Sequence, residues 1–269
     1  MNQASRGMSA LCAVFCVVLA ACLSGCGSGV NRRHDIHGRM AMHRAAEAGN
    51  LEEMKRLFEQ GAVPNVQDMD GVTPLHRAAR DGQSAVVKLL LEHRADPMML
   101  TEEGWDAVHL AAWKGHDAVL ELLMRYGGTA HRKTPDGRTA LHLAAAKGSE
   151  SAVACLLQNW PVYDTLGRPG IDDRDGHGET ALMIAVKQGH PQVANLLLVK
   201  GADANVADAQ GDTCLHIAAR EDNVFLIERL VSYGASQTTR NAAGLTPIQL
   251  AYKEGNEDAA RELWERAQH

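Results

Sequence analysis

The sequence predicts an all-α repeat solenoid in which pairs of short helices are joined by β-hairpin loops. One observation is that the chain after residue 35 repeats itself at a spacing of 33 residues. A second is that each repeat holds two apolar patterns at helical spacing, separated by a turn that contains glycine. The third is that aromatic residues make up only 4% of the chain. Its core must therefore consist mainly of Ala, Leu, Val and Met, which lets helices approach closely.

The composition is that of a folded protein, and its charge gives no electrostatic case for binding nucleic acid. Hydrophobic residues make up 45% of the 269 residues and charged residues 22%, as is usual for globular chains. The formal net charge is −6, and Lys and Arg are scattered singly. Binding to nucleic acid would require a basic face, which this sequence does not form.

The first element is a short apolar segment. Residues 1–7 carry one Arg and no acid, and residues 8–23 read MSALCAVFCVVLAACL. This run is shorter than the roughly 20 residues that a helix needs to cross a bilayer, and its layout is typical of a secretory signal peptide. It ends in the sequence LSGC, with the cysteine at position 26, which resembles the lipobox of bacterial lipoproteins at every position.

The resemblance implies lipidation of Cys26. Residues 1–25 would be a lipoprotein signal peptide that is cleaved before Cys26, and residues 26–34 would be a lipidated linker. Two or three acyl chains give stable anchoring. The next two residues, GS, lack the Asp that holds such proteins at the inner membrane, so the resemblance implies the outer membrane, facing the periplasm. An uncleaved anchor and an ordinary signal peptide are the alternatives.

The second element is the repeat array, which occupies residues 35–269. Residues 70–96, DGVTPLHRAARDGQSAVVKLLLEHRAD, align in register with residues 136–162, DGRTALHLAAAKGSESAVACLLQNWPV. A Thr-Pro pair supplies a helix N-cap and a first helical residue, and glycines suit the turns and helix ends. We number the units one to seven: 35–67, 68–100, 101–133, 134–174, 175–207, 208–240 and 241–269.

The T-P-L-H-x-A-A core and the G-A-D ending resemble the ankyrin repeat family over residues 35–269. The resemblance implies a non-enzymatic module that binds a protein and needs no cofactor, metal or small-molecule substrate; we expect a monomer. The two end units depart from the pattern, with Met40-Ala41-Met42 in place of Thr-Pro-Leu and Gln249 in place of His. Such departures are typical of terminal units.

Five histidines recur at the same place in their units. Neighbouring units are expected to stack about 8–10 Å apart, whereas the nitrogens that share one zinc ion lie about 2 Å from it. The spacing therefore argues against a metal, and in the ankyrin family this histidine braces its own turn by hydrogen bonding. The five are His43, His76, His109, His142 and His216.

Two other motifs do not fit the chemistry that they suggest. In DDRDGHGE (172–179) the calcium register would place Ile171 and Leu182 where carboxylates are needed, although the acidic cluster leaves calcium as an alternative. GHGETA (176–181) fits a dinucleotide pattern, but IDDRD before it is no buried strand.

Cys155 and Cys214 lie two units apart, about 20 Å, which is too far for a disulfide. Each is expected to be a small core residue.

Ankyrin repeats bind partners through their hairpin tips and first helices. Two of the four tryptophans fall on this face of unit three, and buried Trp anchors are common at interface hot spots. The alternative is that Trp113 packs on a neighbouring helix and Trp105 shields a hairpin. The variable contact positions of the family map to Arg80, Asp81, Glu102, Glu103, Trp105, Trp113, Lys114, Arg138 and Lys147, and then to His177, Glu179, Lys187, Asp212, Arg220 and Glu221.

A second candidate surface is the insertion in unit four. The segment NWPVYDTLGRPGIDD (159–173) adds about eight residues to the repeat, and insertions in solenoids often emerge on the binding face. Trp160, Tyr163 and Arg168 could contact a partner there, or the segment is a tolerated surface loop.

Together, the lipobox resemblance and the repeat array lead us to expect an exported inhibitor, immunity or accessory protein for a periplasmic enzyme or toxin. The alternatives are a cytosolic or host-directed ankyrin effector, and an enzyme or metal-binding protein that uses residues 159–175.

Overall fold

The computed structural model describes residues 41–158 and 170–268, and these form a stack of helix pairs. The proposed lipidation site Cys26 and the insertion residues Trp160, Tyr163 and Arg168 lie outside the described residues. The α-helices within the described ranges are α1 (Ala41–Glu47), α2 (Leu51–Glu59), α3 (Pro74–Arg80), α4 (Ser84–Glu92), α5 (Ala107–Lys114), α6 (Asp117–Arg125), α7 (Ala140–Lys147), α8 (Glu150–Gln158), α9 (Ala181–Lys187), α10 (Pro191–Val199), α11 (Cys214–Arg220), α12 (Val224–Ser232), α13 (Pro247–Glu254) and α14 (Glu257–Arg266). A 3₁₀ turn over Gly170–Asp172 precedes α9.

The helices form two layers. Each odd-numbered helix packs against the odd-numbered helices of the neighbouring units and against its own even-numbered partner. The even-numbered helices likewise pack against one another. We call the side formed by the odd-numbered helices and the hairpin tips the inner face. This arrangement confirms the predicted all-α solenoid.

The core lies between the two layers and repeats with the sequence. Small residues such as Ala78 and Ala111 are fully buried on the odd-numbered helices, which lets those helices approach closely. Leucines fill the same position of every even-numbered helix, and each is 3% exposed or less. The seven are Leu57, Leu90, Leu123, Leu156, Leu197, Leu230 and Leu263.

From α3 onwards, the odd-numbered helices begin at capping residues, as the Thr-Pro pattern predicts. Thr73 is extended, and its hydroxyl accepts the backbone N–H of His76 at 3.3 Å. Each such cap stabilises a helix by about 1 kcal/mol. Thr139, Thr180, Thr213 and Thr246 occupy the same place in other units. Unit three differs because its cap is Asp106, a carboxylate.

The hairpin loops are tight turns, and the described residues contain no β-strand, only an isolated bridge between Ala207 and Thr213. Each turn is closed by hydrogen bonds to a side chain instead of by the backbone hydrogen bonds of a β-ladder. Asp68 Oδ1 accepts the N–H groups of Asp70 and Val72 at 3.1 and 2.9 Å. Asp175, Asp208 and Asn241 close later turns in the same way.

The recurring histidines join successive units. In unit two, His76 Nε2 lies 3.0 Å from the Met99 carbonyl oxygen, in the loop that leads to unit three, and Nδ1 accepts the N–H of Thr73 at 3.0 Å. A carbonyl oxygen only accepts, so Nε2 carries the proton and the ring is neutral. Burial lowers the pKa of His76 and also that of His142. The ring therefore braces its own turn, as expected, and also ties that turn to the following loop.

The two thiols differ in their surroundings. Cys214 is a buried core residue, as predicted, whereas Cys155 is only half-buried. Cys155 lies on the outer layer, because its position on α8 packs against the core and also lines a groove between units. Burial raises the pKa of both thiols.

The described residues show no geometry for a metal ion. Over residues 41–158 and 170–268, no three His, Cys, Asp or Glu side chains converge as metal ligands would. Asp175, from the calcium-like motif, instead closes the hairpin turn and lies 3.4 Å from Arg138 Nε. Within the same ranges, no helix has the length and apolar character needed to cross a membrane.

Candidate protein-binding surface

A pair of tryptophans lies on the inner face of unit three. Trp105 precedes α5 and Trp113 lies near its end, so the helical repeat brings both side chains to one side. The ring centroids are 5.9 Å apart and the rings meet edge to face at 77°. Trp113 is 44% exposed, whereas Trp105 is half-buried and packs on the core. The structure thus presents Trp113 to solvent and supports it with Trp105.

Trp105 is positioned by the start of α5. Its ring meets the ring of His109 edge to face, with centroids 6.2 Å apart. His109 is buried, its Nε2 lies 2.9 Å from the Arg132 carbonyl oxygen, and its Nδ1 lies 2.8 Å from Asp106 Oδ1. These contacts fix the aromatic pair to the loops on both sides of the helix.

Trp113 already binds a cation from its own chain. Lys114 Nζ lies 4.0 Å from the centroid of the Trp113 ring. At this distance the ammonium is attracted by the negative face of the indole, an interaction of about 0.5–1 kcal/mol at an exposed site. The exposed ring face therefore has the geometry to accept a positive group.

Beside the tryptophans is a groove of about 400 Å³, which we call the tryptophan groove. It runs between units two and three, with Trp105, Trp113 and Leu110 on one side and α3 on the other. The residues of formal charge that line it are Asp70, Arg77, Arg80, Glu102 and Glu103. An apolar floor with a polar rim is the usual anatomy of a protein-binding site.

The two arginines of the groove are neutralised by acids. Arg77 donates to Asp68 at 3.0 Å in a largely buried pair. Burial opposes ionisation of Asp68, but hydrogen bonds from Arg77 and from backbone N–H groups outweigh it and lower the pKa of the carboxyl. Arg80 donates to Asp81 at 2.8 Å and to Glu47 at 3.2 Å, and the bond to Asp81 is the main reason that the pKa of Arg80 is raised.

Three carboxylates on the rim have no such partner. Asp70, Glu102 and Glu103 are exposed, and none of them forms an ion pair within the described part of the chain. The tips that carry them are joined, because the Glu102 N–H donates to the Asp70 carbonyl oxygen at 3.0 Å. The rim of the tryptophan groove is therefore acidic.

The remaining contact residues do not join this groove. Arg138 lies 3.4 Å from both Asp136 and Asp175 at the next tips, and Lys147 is exposed at the end of α7. The last units form a separate groove of about 700 Å³ on the same face, which we call the end groove. It contains the ion pairs Lys187–Glu179 and Arg220–Asp212, together with Glu221. His177 lies exposed at the tip of unit five.

Two kinds of residue were missed by sequence reasoning. Asp70, Arg77 and Leu110 line the groove, and Asp70 could have been found because it holds the same place in its unit as Glu103. His116 and His190 link neighbouring units by hydrogen bonds. Their Nε2 atoms donate to the carbonyl oxygens of Arg80 and Ala146, each at 3.1 Å. Their positions recur in the sequence, but their partners lie one unit back and are visible only in the fold.

Comparison with known proteins gives a consistent result. The family model described as "Ankyrin repeats (3 copies)" matches residues 11–101, 42–133, 108–208 and 182–269. The crystal structure of the human ASB11 ankyrin repeat domain is similar, with a TM-score of 0.74 and 29% identity over 85% of this chain and 98% of that one. The ankyrin repeat domain of Bcl-3, described as a unique member of the IkappaB protein family, has a TM-score of 0.71 and 30% identity over 83% of this chain and 99% of that one. No curated protein matches the chain.

Proposed function

The chain belongs to the ankyrin repeat family and is a protein-binding module, and from this premise we propose that it binds its partner at the tryptophan groove. The observation that carries the proposal is the edge-to-face pair of Trp105 and Trp113, with Trp113 44% exposed on the inner face. The fold is typically a non-enzymatic interaction scaffold, so we propose no catalytic residue and no cofactor. We also propose that the module acts as a monomer.

The physical case rests on what the two rings offer a partner. A large rigid ring loses little conformational entropy on binding and buries much apolar area, which is why Trp is enriched at hot spots. Trp105 holds Trp113 in place before the partner arrives, so that less ordering is needed at the moment of binding. The groove also lies between the second and third of the seven units, where a partner can contact tips and helices on both sides.

Capture of the partner by chemical crosslinking in cells that produce the full chain tests this proposal. The Trp105→Ala/Trp113→Ala variant should lose the captured protein, because truncating a hot spot costs about 2 kcal/mol or more, roughly thirtyfold in affinity. Trp113→Ala alone should give most of this loss, and it spares the core contacts of Trp105.

The matched control removes two aromatic side chains elsewhere. Phe225 and Trp264 are 53% and 57% exposed on the outer layer, on α12 and α14. The Phe225→Ala/Trp264→Ala variant should capture the same protein as the unmodified chain. A set of captured proteins that is unchanged by both Trp105→Ala and Trp113→Ala would remove the tryptophan groove as the binding site.

A second part of the proposal concerns where the module works. The lipobox-like sequence that ends at Cys26 supports an exported lipoprotein anchored in the outer membrane and facing the periplasm. Only about nine residues separate Cys26 from the first unit, at most roughly 30 Å when extended, so the array would sit close to the lipid surface. The partner would then be a periplasmic enzyme or toxin, with this protein as its inhibitor, immunity or accessory protein. The second candidate is a cytosolic or host-directed ankyrin effector, and a site on the 159–175 insertion is the least supported.

Fractionation and palmitate labelling of a Cys26→Ser variant distinguish these locations. The unmodified chain should carry the label and fractionate with the outer membrane, and Cys26→Ser should lose both properties because the thiol is the atom that is acylated. The half-buried Cys155 provides the matched control, since Cys155→Ser should remain labelled and membrane-bound. An unlabelled wild-type chain in the soluble fraction would favour the cytosolic or host-directed alternative.

A further inference from the structure

We propose that the tryptophan groove accepts a basic side chain, an arginine or lysine presented by a segment of the partner protein. This inference rests on the proposed function, because it concerns the same groove and adds the chemistry of its occupant. It follows from three observations: the unpaired carboxylates on the rim, the cation that already lies over Trp113, and the neutralised arginines inside.

The rim provides charge complementarity for a cation. Asp70, Glu102 and Glu103 come from two neighbouring tips that the bond from Glu102 N–H to the Asp70 carbonyl oxygen holds together at 3.0 Å. None of the three forms an ion pair within the described residues. A guanidinium is planar and presents several N–H donors, so it can bind two carboxylate oxygens at once.

The aromatic side of the groove suits the same group. Lys114 Nζ, at 4.0 Å from the Trp113 centroid, shows that the ring face is accessible to a cation. Lys114 is exposed and forms no ion pair within the described part of the chain. An incoming guanidinium can therefore displace the Lys114 ammonium from the ring without breaking an ion pair. Arginine also stacks on indole rings, which lets one side chain contact Trp113 and the acidic rim together.

An acidic partner segment fits this groove poorly. Arg77 and Arg80 are its only cations among the lining residues, and both are already paired, with Asp68 and with Asp81 and Glu47. An incoming carboxylate would have to approach three like charges on the rim, and that arrangement opposes binding. A purely apolar segment would cover those charges without pairing them, which is also unfavourable.

The end groove of the same face differs in its charge pattern. Its acids Glu179 and Asp212 are paired with Lys187 and Arg220, the first pair at 2.6 Å. The exposed acids Glu221 and Glu254 lie there without a tryptophan beside them. The end groove therefore provides a control site with acids of the same type and without the aromatic pair.

Selection from a random twelve-residue peptide library displayed on phage tests the inference. The target is the immobilised full chain in a non-ionic detergent at low salt. Enriched peptides should contain Arg or Lys, and replacement of that Arg by citrulline, its neutral analogue, should weaken binding about tenfold. The Glu102→Gln/Glu103→Gln variant, altered only at exposed tip residues, should weaken the same peptides about tenfold. Glu221→Gln/Glu254→Gln should leave them unchanged.

The outcomes separate this inference from the proposed function. Enriched peptides that need Trp113 but contain no basic residue, or that bind equally well to Glu102→Gln/Glu103→Gln, would overturn the basic occupant and leave the groove as the binding site. Selection that yields no peptide dependent on Trp113 also overturns the inference. In that case, the proposed function would still hold if the Trp113→Ala variant no longer captured the partner by crosslinking.

Discussion

At the residue scale, a single histidine ring forms hydrogen bonds both to the start of its own helix and to a loop. His76 and His142 each accept a backbone N–H through Nδ1 at the start of their own helix and donate through Nε2 to a loop carbonyl oxygen. The two bonds together require the neutral ring with its proton on Nε2, because protonation of Nδ1 would break the first of them. Burial favours the same neutral form and lowers the pKa of both rings.

These lowered pKa values predict that the array loses stability in mild acid. Above about pH 7 both rings are neutral in the folded and in the unfolded chain. As the pH falls through the unfolded value of 6.5, the unfolded chain binds protons that the folded chain does not. The free energy of unfolding should then fall by up to about 1.4 kcal/mol per pH unit for each ring. Urea unfolding at intervals between pH 7.5 and 5.5 measures this slope.

Unit seven provides a control that does not titrate. Gln249 occupies the histidine position there, and its Oε1 accepts the N–H of Thr246 at 3.0 Å. The His76→Gln/His142→Gln variant should therefore fold and show a shallower loss of stability over the same pH range. An equal slope in the variant and the unmodified chain would contradict the assignment of this pH dependence to these two rings.

At the scale of elements, the hairpin tips are linked in series. The Gly176 N–H donates to the Asp136 carbonyl oxygen at 2.8 Å, and two later pairs of tips repeat the bond. Between units three and four the donor position is occupied by Pro135, which has no N–H. The tip that carries Glu102 and Glu103 therefore receives no such bond from unit four. It is bonded to the tip of unit two, through the Glu102 N–H and the Asp70 carbonyl oxygen.

Two glycines at equivalent tip positions test how closely the tips approach. Gly137 and Gly244 have φ values of 81° and 75°, and alanine at either costs about 1–2 kcal/mol in this left-handed region. A Cβ on Gly137 would lie 2.7 Å from the Gly176 nitrogen, whereas a Cβ on Gly244 would meet nothing within 4 Å. Gly137→Ala should lower the free energy of unfolding by about 1–3 kcal/mol more than Gly244→Ala in urea titrations. Equal losses would show that the tips are not in close contact.

At the scale of the whole molecule, most of the fold was predictable because it repeats. The Thr caps, the recurring histidines and the core leucines each return at one place in the unit, so the repetition of weak signals gives a strong one. The binding groove was only partly predictable. Trp105 and Trp113 stand out by their type, but the pairing of Arg77 and Arg80 with acids depends on side-chain positions that no periodicity specifies.

The central claim is that a partner protein binds on the inner face at the tryptophan groove. Met69, 76% exposed at the neighbouring tip, can carry a photo-crosslinking amino acid without changing either tryptophan or the acidic rim. Exposed Gln192 on α10, in the outer layer, is the matched position. Irradiation of cells should give a crosslinked protein from position 69 that disappears with Trp113→Ala, and none from position 192. A product from position 192 alone, or one from position 69 that survives Trp113→Ala, would contradict the account.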